Sequence, residues 1–403
     1  MINWIPLEEL LLHPIRNGLT KPKAVRGKGV KMIAMGEIFS KARINNMNMD
    51  RVPVTDKELD SCSIQEGDLL FARQSLVLEG AGKCSIVTEI KEPTVFESHL
   101  IRVRIDATKA NPYYVFYYFN SIHGRNSIGT IVEQVAAAGI RGSDLIKLKV
   151  PCPDVLTQNK IAEFLKRLDE KIELNTEINN NLYQILAASY KHDYLDSIMS
   201  DYQEVTLDDV TSKIATGLNP RKNFVLGQGS NYYVTIKNMG DNRIYLDDKC
   251  DSIDDDALIK INKRSDLVVG DCLFSGIGTI GRVHLIDTPP TNWNISESVF
   301  TLRAATSVSP EFLYLLLLSD DMQGYANALA SGSAQKGIRM ADLKKYPLFL
   351  PNSERMAQLT SYWQPMIQEI KTNERENDQL SSISSSLLPK LLTGDLDVSK
   401  VEI

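Results

Sequence analysis

Two glycine-rich runs carry the patterns closest to nucleotide or phosphate chemistry. Gly276-Ile277-Gly278-Thr279-Ile280-Gly281 has the GxGxxG spacing by which a dinucleotide-binding turn presents backbone N–H groups to a pyrophosphate. That chemistry requires a helix to follow, whereas Arg282–Ile286 reads as a strand, so the run predicts a hairpin turn. Gly80-Ala81-Gly82-Lys83 ends like a phosphate loop, but Val77 stands where the first glycine belongs and Cys84 where a Ser or Thr would meet magnesium. The five histidines lie far apart, in neither triad nor metal spacing. Cys62, Cys84, Cys152, Cys250 and Cys272 are odd in number and scattered, without a CxxC pair, so neither zinc nor a disulfide framework is implied. Thr288-Pro289-Pro290-Thr291 lacks the polar first and aromatic last residues of an amino-methylation motif. No catalysis by this chain alone, and no cofactor or metal bound by it, is the expectation.

Charge offers a different chemistry. The net charge of −6 argues weakly against nucleic acid, but the charges are unevenly placed. Residues 10–36 contain Arg16, Lys21, Lys23, Arg26, Lys28 and Lys31 with no acid among them. Residues 210–240 contain Lys213, Arg221, Lys222 and Lys237, again with no acid. One such stretch reads most simply as a solvated loop. Two at matching places in a duplicated chain are harder to dismiss.

The duplication is visible by self-comparison. Gly139-Ile140-Arg141 recurs as Gly337-Ile338-Arg339, an offset of 198 that also matches Pro112 with Pro310, Ser121 with Ser319 and Asn175 with Asn373. Upstream, Gly67-Asp68-Leu69-Leu70-Phe71 matches Gly270-Asp271-Cys272-Leu273-Phe274. Each copy has a front part of short β-rich runs with one apolar helix starting at a proline (Pro112–Ser121, Pro310–Ser319).

The back parts must position those fronts. From Leu156 past Ile198 there is no Gly or Pro, and Ile161, Phe164, Leu168, Asn175, Leu182 and Ile185 form a helical stripe. A helix of about 38 residues would be roughly 57 Å long. The second copy repeats the stripe with Leu359, Tyr362, Met366, Asn373, Leu380 and Ile383, and Pro365 predicts a kink or restart. Asn175 and Asn373 on such a seam are expected to fix register. The chain therefore reads as α+β: two duplicated globular domains (1–153 and 200–351) joined by two long helices (154–199 and 352–403, the latter with a tail). The helices are expected to pack as an antiparallel coiled coil with approximate two-fold symmetry. No apolar run reaches the ~20 residues of a membrane span, and Met1-Ile2-Asn3-Trp4 does not start a signal peptide. A cytoplasmic protein is expected.

In this order, the duplicated turns, the Ser331-Gly332-Ser333-Ala334-Gln335-Lys336 loop and the ending Ser386-Leu387-Leu388-Pro389-Lys390-Leu391-Leu392-Thr393-Gly394 resemble the specificity subunits of type I restriction–modification systems. The resemblance covers essentially the whole chain. It implies two target-recognition domains reading a bipartite, asymmetric double-stranded DNA site. It also implies helices that space them and dock two adenine-N6 methyltransferase subunits, with a restriction (translocase/nuclease) subunit joining through these. S-adenosylmethionine, ATP and magnesium would then sit on partner subunits.

Within that picture, phosphate contact falls mainly to Lys21, Lys23, Arg26 and Lys28 in the first domain and Arg221 and Lys222 in the second, with Arg16, Lys213 and Lys237 in the same basic stretches. Arg141, Gln335, Lys336 and Arg339 belong to the loops around Gly-Ile-Arg, where Arg141 and Arg339 could equally form internal salt bridges. Arg73, Gln74 and Asn219 are candidates for reading bases, since Arg pairs with guanine and Asn or Gln with adenine. The first domain departs from the pattern: Arg73–Glu79 is longer than its counterpart and Glu133–Ala138 replaces the Ser-Gly-Ser-Ala-Gln loop. The alternative is a stand-alone DNA-binding regulator with the same recognition domains; a protein-only scaffold stands behind it.

Overall fold

The computed structural model describes residues 3–134, 138–198, 202–240, 242–332 and 336–396, Gln134 by its backbone alone. Contacts divide the chain into two units: Met1–Leu174 with Glu376–Ile403, and Asn175–Arg375. Both are α+β, and each takes in part of both long helices.

In the first unit a five-stranded sheet runs in the order 16–17, 100–103, 69–72, 84–87, 43–44. Strand Leu69–Ala72 is buried on both faces, and its side chains alternate between two cores. Leu69 and Phe71 join the core containing helix Pro112–Asn120, where Phe71 meets Phe119 edge to face at 5.2 Å. Leu70 and Ala72 join the core of Met32, Ile33 and Phe96. The second unit repeats the scheme with strand Cys272–Ser275: Cys272 and Phe274 face one core, Leu273 the other.

The apolar helices begin where the prolines predict. Asn111 Oδ1 accepts the Tyr113 and Tyr114 backbone N–H groups, and Ser309 Oγ accepts that of Phe312.

The repeated Gly-Asp motif has a structural explanation. Gly67 and Gly270 adopt φ of +85° and +92°, a region glycine enters without strain. The following carboxylates are wholly buried. Asp68 accepts from Gln65 N and, at 2.6 and 2.7 Å, from Arg104; Asp271 accepts from Val268 N and, at 2.7 and 3.0 Å, from Arg303. A two-pronged guanidinium is the partner that lets such a carboxylate stay ionised inside a protein.

The first long helix spans Val155–Ser189 and ends in a π turn, Tyr190–Tyr194. The second, Ser353–Thr393, runs unbroken, so the restart expected at Pro365 does not occur. Ser361, Tyr362, Gln364 and Pro365 are exposed, and water can satisfy the carbonyl four residues earlier that loses its donor.

Within the first unit Ile161, Phe164, Leu165 and Leu168 share a core with Leu391 and Leu392. Within the second, Leu186 and Tyr190 share one with Met356, Leu359, Trp363, Ile367 and Ile370. In both, the residue order is antiparallel: in one, Ile161 and Phe164 share their core with Leu391 and Leu392 while the later Lys171 meets the earlier Glu376, and in the other Asn179 meets Ile370 while Ser189 meets Trp363.

The stripe read from sequence needs correcting at three points. Ile185, Tyr362 and Ile383 are 46%, 55% and 41% exposed, and Leu186 and Trp363 are buried beside the first two. One residue turns the helix by about 100°, so choosing positions by repeat spacing alone slides off the seam. Ile161, Phe164, Leu168 and Leu359 are buried, and Leu182, Met366 and Leu380 pack against the cores.

Asn175 and Asn373 are buried on the seam, but the more informative amide is one the stripe omitted. Asn179 accepts from Asn373 Nδ2 at 2.9 Å and donates to the Ile370 carbonyl at 3.3 Å. Asn377 donates likewise to the Ile172 carbonyl at 3.5 Å. At an offset of 198, Asn179 and Ile172 correspond to Asn377 and Ile370. The duplication thus extends to individual hydrogen bonds.

Candidate nucleic-acid interface

In the first unit four of the predicted contact residues converge. Arg16 lies on an edge strand pairing with Ile101 and Arg102. Arg73 directly follows the buried strand Leu69–Ala72, and Gln74–Ser75 pairs with Ala138–Gly139, which pairs with Glu133–Gln134. Arg141 caps the short helix Gly142–Leu145. Together Ile15–Asn17, Arg73, Gln74, Glu133 and Gly139–Ser143 line an open cleft of about 660 Å³.

Residues more than 120 positions apart meet because the edge strand and the Gly-Ile-Arg turn both stand beside the end of one central strand. The turn is locked by Ile140, 3% exposed, whose N–H donates to the Arg73 carbonyl at 2.9 Å. The second unit repeats this bond from Ile338 to the Gly276 carbonyl at 2.9 Å. Gly276 therefore takes the place of Arg73, and the glycine run forms the hairpin turn between antiparallel strands Cys272–Ser275 and Val283–Leu285. Gly80–Lys83 leads into strand Cys84–Val87, with no helix of the kind a phosphate loop needs.

The cleft is electropositive but not uniformly so. Arg16 stands opposite Arg102, a buried guanidinium stacked on Phe96 at 5.7 Å and donating to the Ser63 carbonyl at 2.6 Å. Burial, and then the neighbouring Arg104, push the Arg102 pKa down. Glu133 is the acid on the wall, and it pairs with Arg141 at 2.7 Å, the internal alternative foreseen for that arginine. Both partners are at least half exposed. Such a pair is weak and exchangeable.

Other predicted contacts divide by environment. Lys23 and Lys28 are exposed in the first unit, as are Arg221, Lys222, Lys237, Lys336 and Arg339 in the second. Lys21 is bound to Glu58 at 2.8 Å and Arg26 to Asp50 at 3.0 Å. Lys213 donates to the Ser265 carbonyl at 2.5 Å, and Asn219 donates to Glu297 while capping Arg221 N. These four are held by neighbours, since a basic stretch in sequence does not disclose the acids its loops will fold against. Gln335 lies outside the described residues.

Sequence reasoning also passed over Arg43. It is 8% exposed and meets Glu173 at 2.8 Å and Asp169 at 3.6 Å on the first long helix, where Tyr117 also donates to Asp169 at 2.7 Å. Burial raises the Asp169 pKa. The network ties the sheet to the helix. A single arginine on a two-residue strand, with no motif around it, gave no signal of it.

Among the described residues no group of His, Cys, Asp or Glu is placed to hold a metal, and the five cysteines are buried free thiols. No described helix is long and apolar enough to cross a membrane.

Comparison with known proteins accounts for this arrangement. A family model for the type I restriction modification DNA specificity domain matches twice, at residues 14–184 and 199–382. The chain is 22% identical over 411 residues to the HindI specificity subunit of Haemophilus influenzae, spanning 83% of this chain and 87% of that protein. It is 22% identical to the putative MjaX specificity subunit of Methanocaldococcus jannaschii, spanning 96% and 92%. A match of 26% identity to the Escherichia coli EcoKI specificity subunit spans 44% of this chain and 38% of that one. The crystal structure of a type I S subunit from M. genitalium shares the fold, with TM-score 0.60 at 16% identity over 97% of this chain and 96% of that one. With two copies of the specificity domain filling most of its length, the chain belongs to the type I restriction–modification specificity subunits, the non-catalytic components that recognise DNA sequence.

Proposed function

We propose that each unit reads one half of a bipartite, asymmetric duplex DNA site and that the long helices set the gap between the halves. The carrying observation is the cleft in which Arg16, Arg73, Gln74 and Arg141 converge beside a fixed turn. Arginine supplies both phosphate attraction and bidentate reading of guanine, and glutamine reads adenine. The equivalent turn of the second unit places Gly276 where the first has Arg73. Unlike turns in the two units fit two unlike half-sites. Exposed Arg221, Lys222, Lys237, Lys336 and Arg339 are the contacts proposed for the second.

The helices also dock two adenine-N6 methyltransferase subunits, through which restriction (translocase/nuclease) subunits join. Leu174, Ile185, Tyr362 and Ile383, between 41% and 55% exposed, supply apolar positions on the helices for that docking. S-adenosylmethionine binds on the methyltransferase, and ATP and magnesium serve the partner subunits. The assembly works in the cytoplasm.

Methylation mapping of DNA exposed to the assembled complex tests the whole reading. The expected product is N6-methyladenine in two different half-sites at one fixed spacing. A palindromic target, or a single undivided one, overturns it. Co-purification with the methyltransferase separates this reading from a stand-alone DNA-binding regulator.

A further inference from the structure

We propose that Leu76 reads the 5-methyl group of a thymine in the half-site met by the first unit; this rests on the DNA reading above. Leu76 is 97% exposed, and Val77 and Leu78 beside it are 59% and 50% exposed. Three consecutive apolar residues are thus held in water, at a standing hydrophobic cost. They lie on the segment by which the first unit's turn exceeds that of the second.

The tip has a fixed base. Gln74–Ser75 is paired to Ala138–Gly139. Ser75 Oγ accepts from Val77 N at 3.1 Å. Arg125 donates to the Glu79 carbonyl at 2.6 Å and the Gly82 carbonyl at 3.0 Å, gripping the returning limb. The loop therefore holds its leucine away from the body.

Its position identifies the occupant. Leu76 follows two residues after Gln74, which lines the cleft with Arg73. Side chains of those types read hydrogen-bonding groups in the major groove, and the apolar group displayed there is the thymine methyl. Charge complementarity of the adjoining cleft favours DNA over a second protein. In the second unit the corresponding turn is shorter, and its apolar residues Ile277 and Ile280 are both half-buried. The effect should therefore appear in one half-site.

The test is a double-mutant cycle on the assembled methyltransferase complex and its mapped target. Each thymine of the first half-site is replaced in turn by deoxyuracil, with wild-type protein and with Leu76→Ala. One position should cost wild type about four-fold in affinity, the worth of one buried methyl-sized group. The same replacement should cost the variant nothing further. The slope of affinity against salt should not change, because no charge is removed.

Equal uracil costs in both proteins, or no sensitive thymine, overturn the proposal. Loss of affinity by Leu76→Ala on thymine and uracil DNA alike would instead indicate a wedge in the base stack and also overturn it. Loss of methyltransferase association would make the tip a subunit contact. If Arg16→Ala, Arg73→Ala and Arg141→Ala all leave the salt slope intact, the DNA reading itself fails, an outcome distinct from failure of Leu76 alone.

Discussion

Replacing Glu133 by glutamine should tighten DNA binding, although it breaks a salt bridge. The Glu133 carboxylate holds Arg141 at 2.7 Å, with 68% of the Arg141 side chain and 50% of the Glu133 side chain exposed. A pair that open to water contributes about 0.2–1 kcal/mol, so a phosphate displaces the carboxylate at small cost. Glu133→Gln removes that cost, and affinity should rise about 1.4- to 5-fold, most at low salt. Arg141→Ala acts in the opposite sense. Losing one phosphate contact flattens the plot of log affinity against log salt by about 0.9. Between 50 and 200 mM salt, that lowers the fall in affinity about 3.5-fold. Fluorescence anisotropy of the assembled complex on its target, at four salt concentrations, reads both effects. Weaker binding by Glu133→Gln with an unchanged slope for Arg141→Ala would refute the reasoning, because Glu133 would then itself contact the DNA.

Further outcomes follow from the buried groups. Asp68→Asn should destabilise the first unit by about 3–5 kcal/mol, since it leaves Arg104 without its carboxylate. Asp271→Asn should cost the second unit less, because Arg303 is 29% exposed against 14% for Arg104; urea unfolding followed by a fluorophore in each unit measures both. Trp363→Ala should cost about 3–5 kcal/mol, because the indole is wholly buried against Tyr190 and Phe312 and donates to Ser189 at 2.9 Å. Burial, and then nearby Lys371, hold the His284 pKa well below 6.5. Folded His284 is therefore neutral where the unfolded imidazole takes a proton, and stability present above pH 6.5 falls below it by up to about 1.4 kcal/mol per pH unit. His284→Phe should flatten that limb in urea unfolding from pH 7 to 5. Inserting seven residues at matched points of both long helices adds about 10.5 Å; methylation mapping should show a gap longer by about three base pairs at 3.4 Å each, with both half-sites unchanged.

The duplication, the α+β class, the two capped apolar helices and the long helices were all legible in the chain itself. Each is a local or periodic property: a proline after a capping residue, an apolar repeat, an offset of 198. The hairpin reading of Gly276–Gly281 was legible too, because the residues after it alternate as a strand. Which basic residues meet in a cleft was not. Arg16, Arg73 and Arg141 are neighbours because an edge strand, the end of a central strand and a distant turn share one corner, and no periodicity encodes that meeting. Nor did sequence disclose that Lys21, Lys213 and Asn219 are held by Glu58, the Ser265 carbonyl and Glu297. Repeat spacing fixed each helical stripe only to within one residue, so Ile185 and Tyr362 were placed where Leu186 and Trp363 lie. Sequence determined the elements because backbone propensity and apolar spacing act over a few residues. The tertiary fold decided the site because long-range pairing determines which charges stay open to a ligand and which are neutralised within the chain.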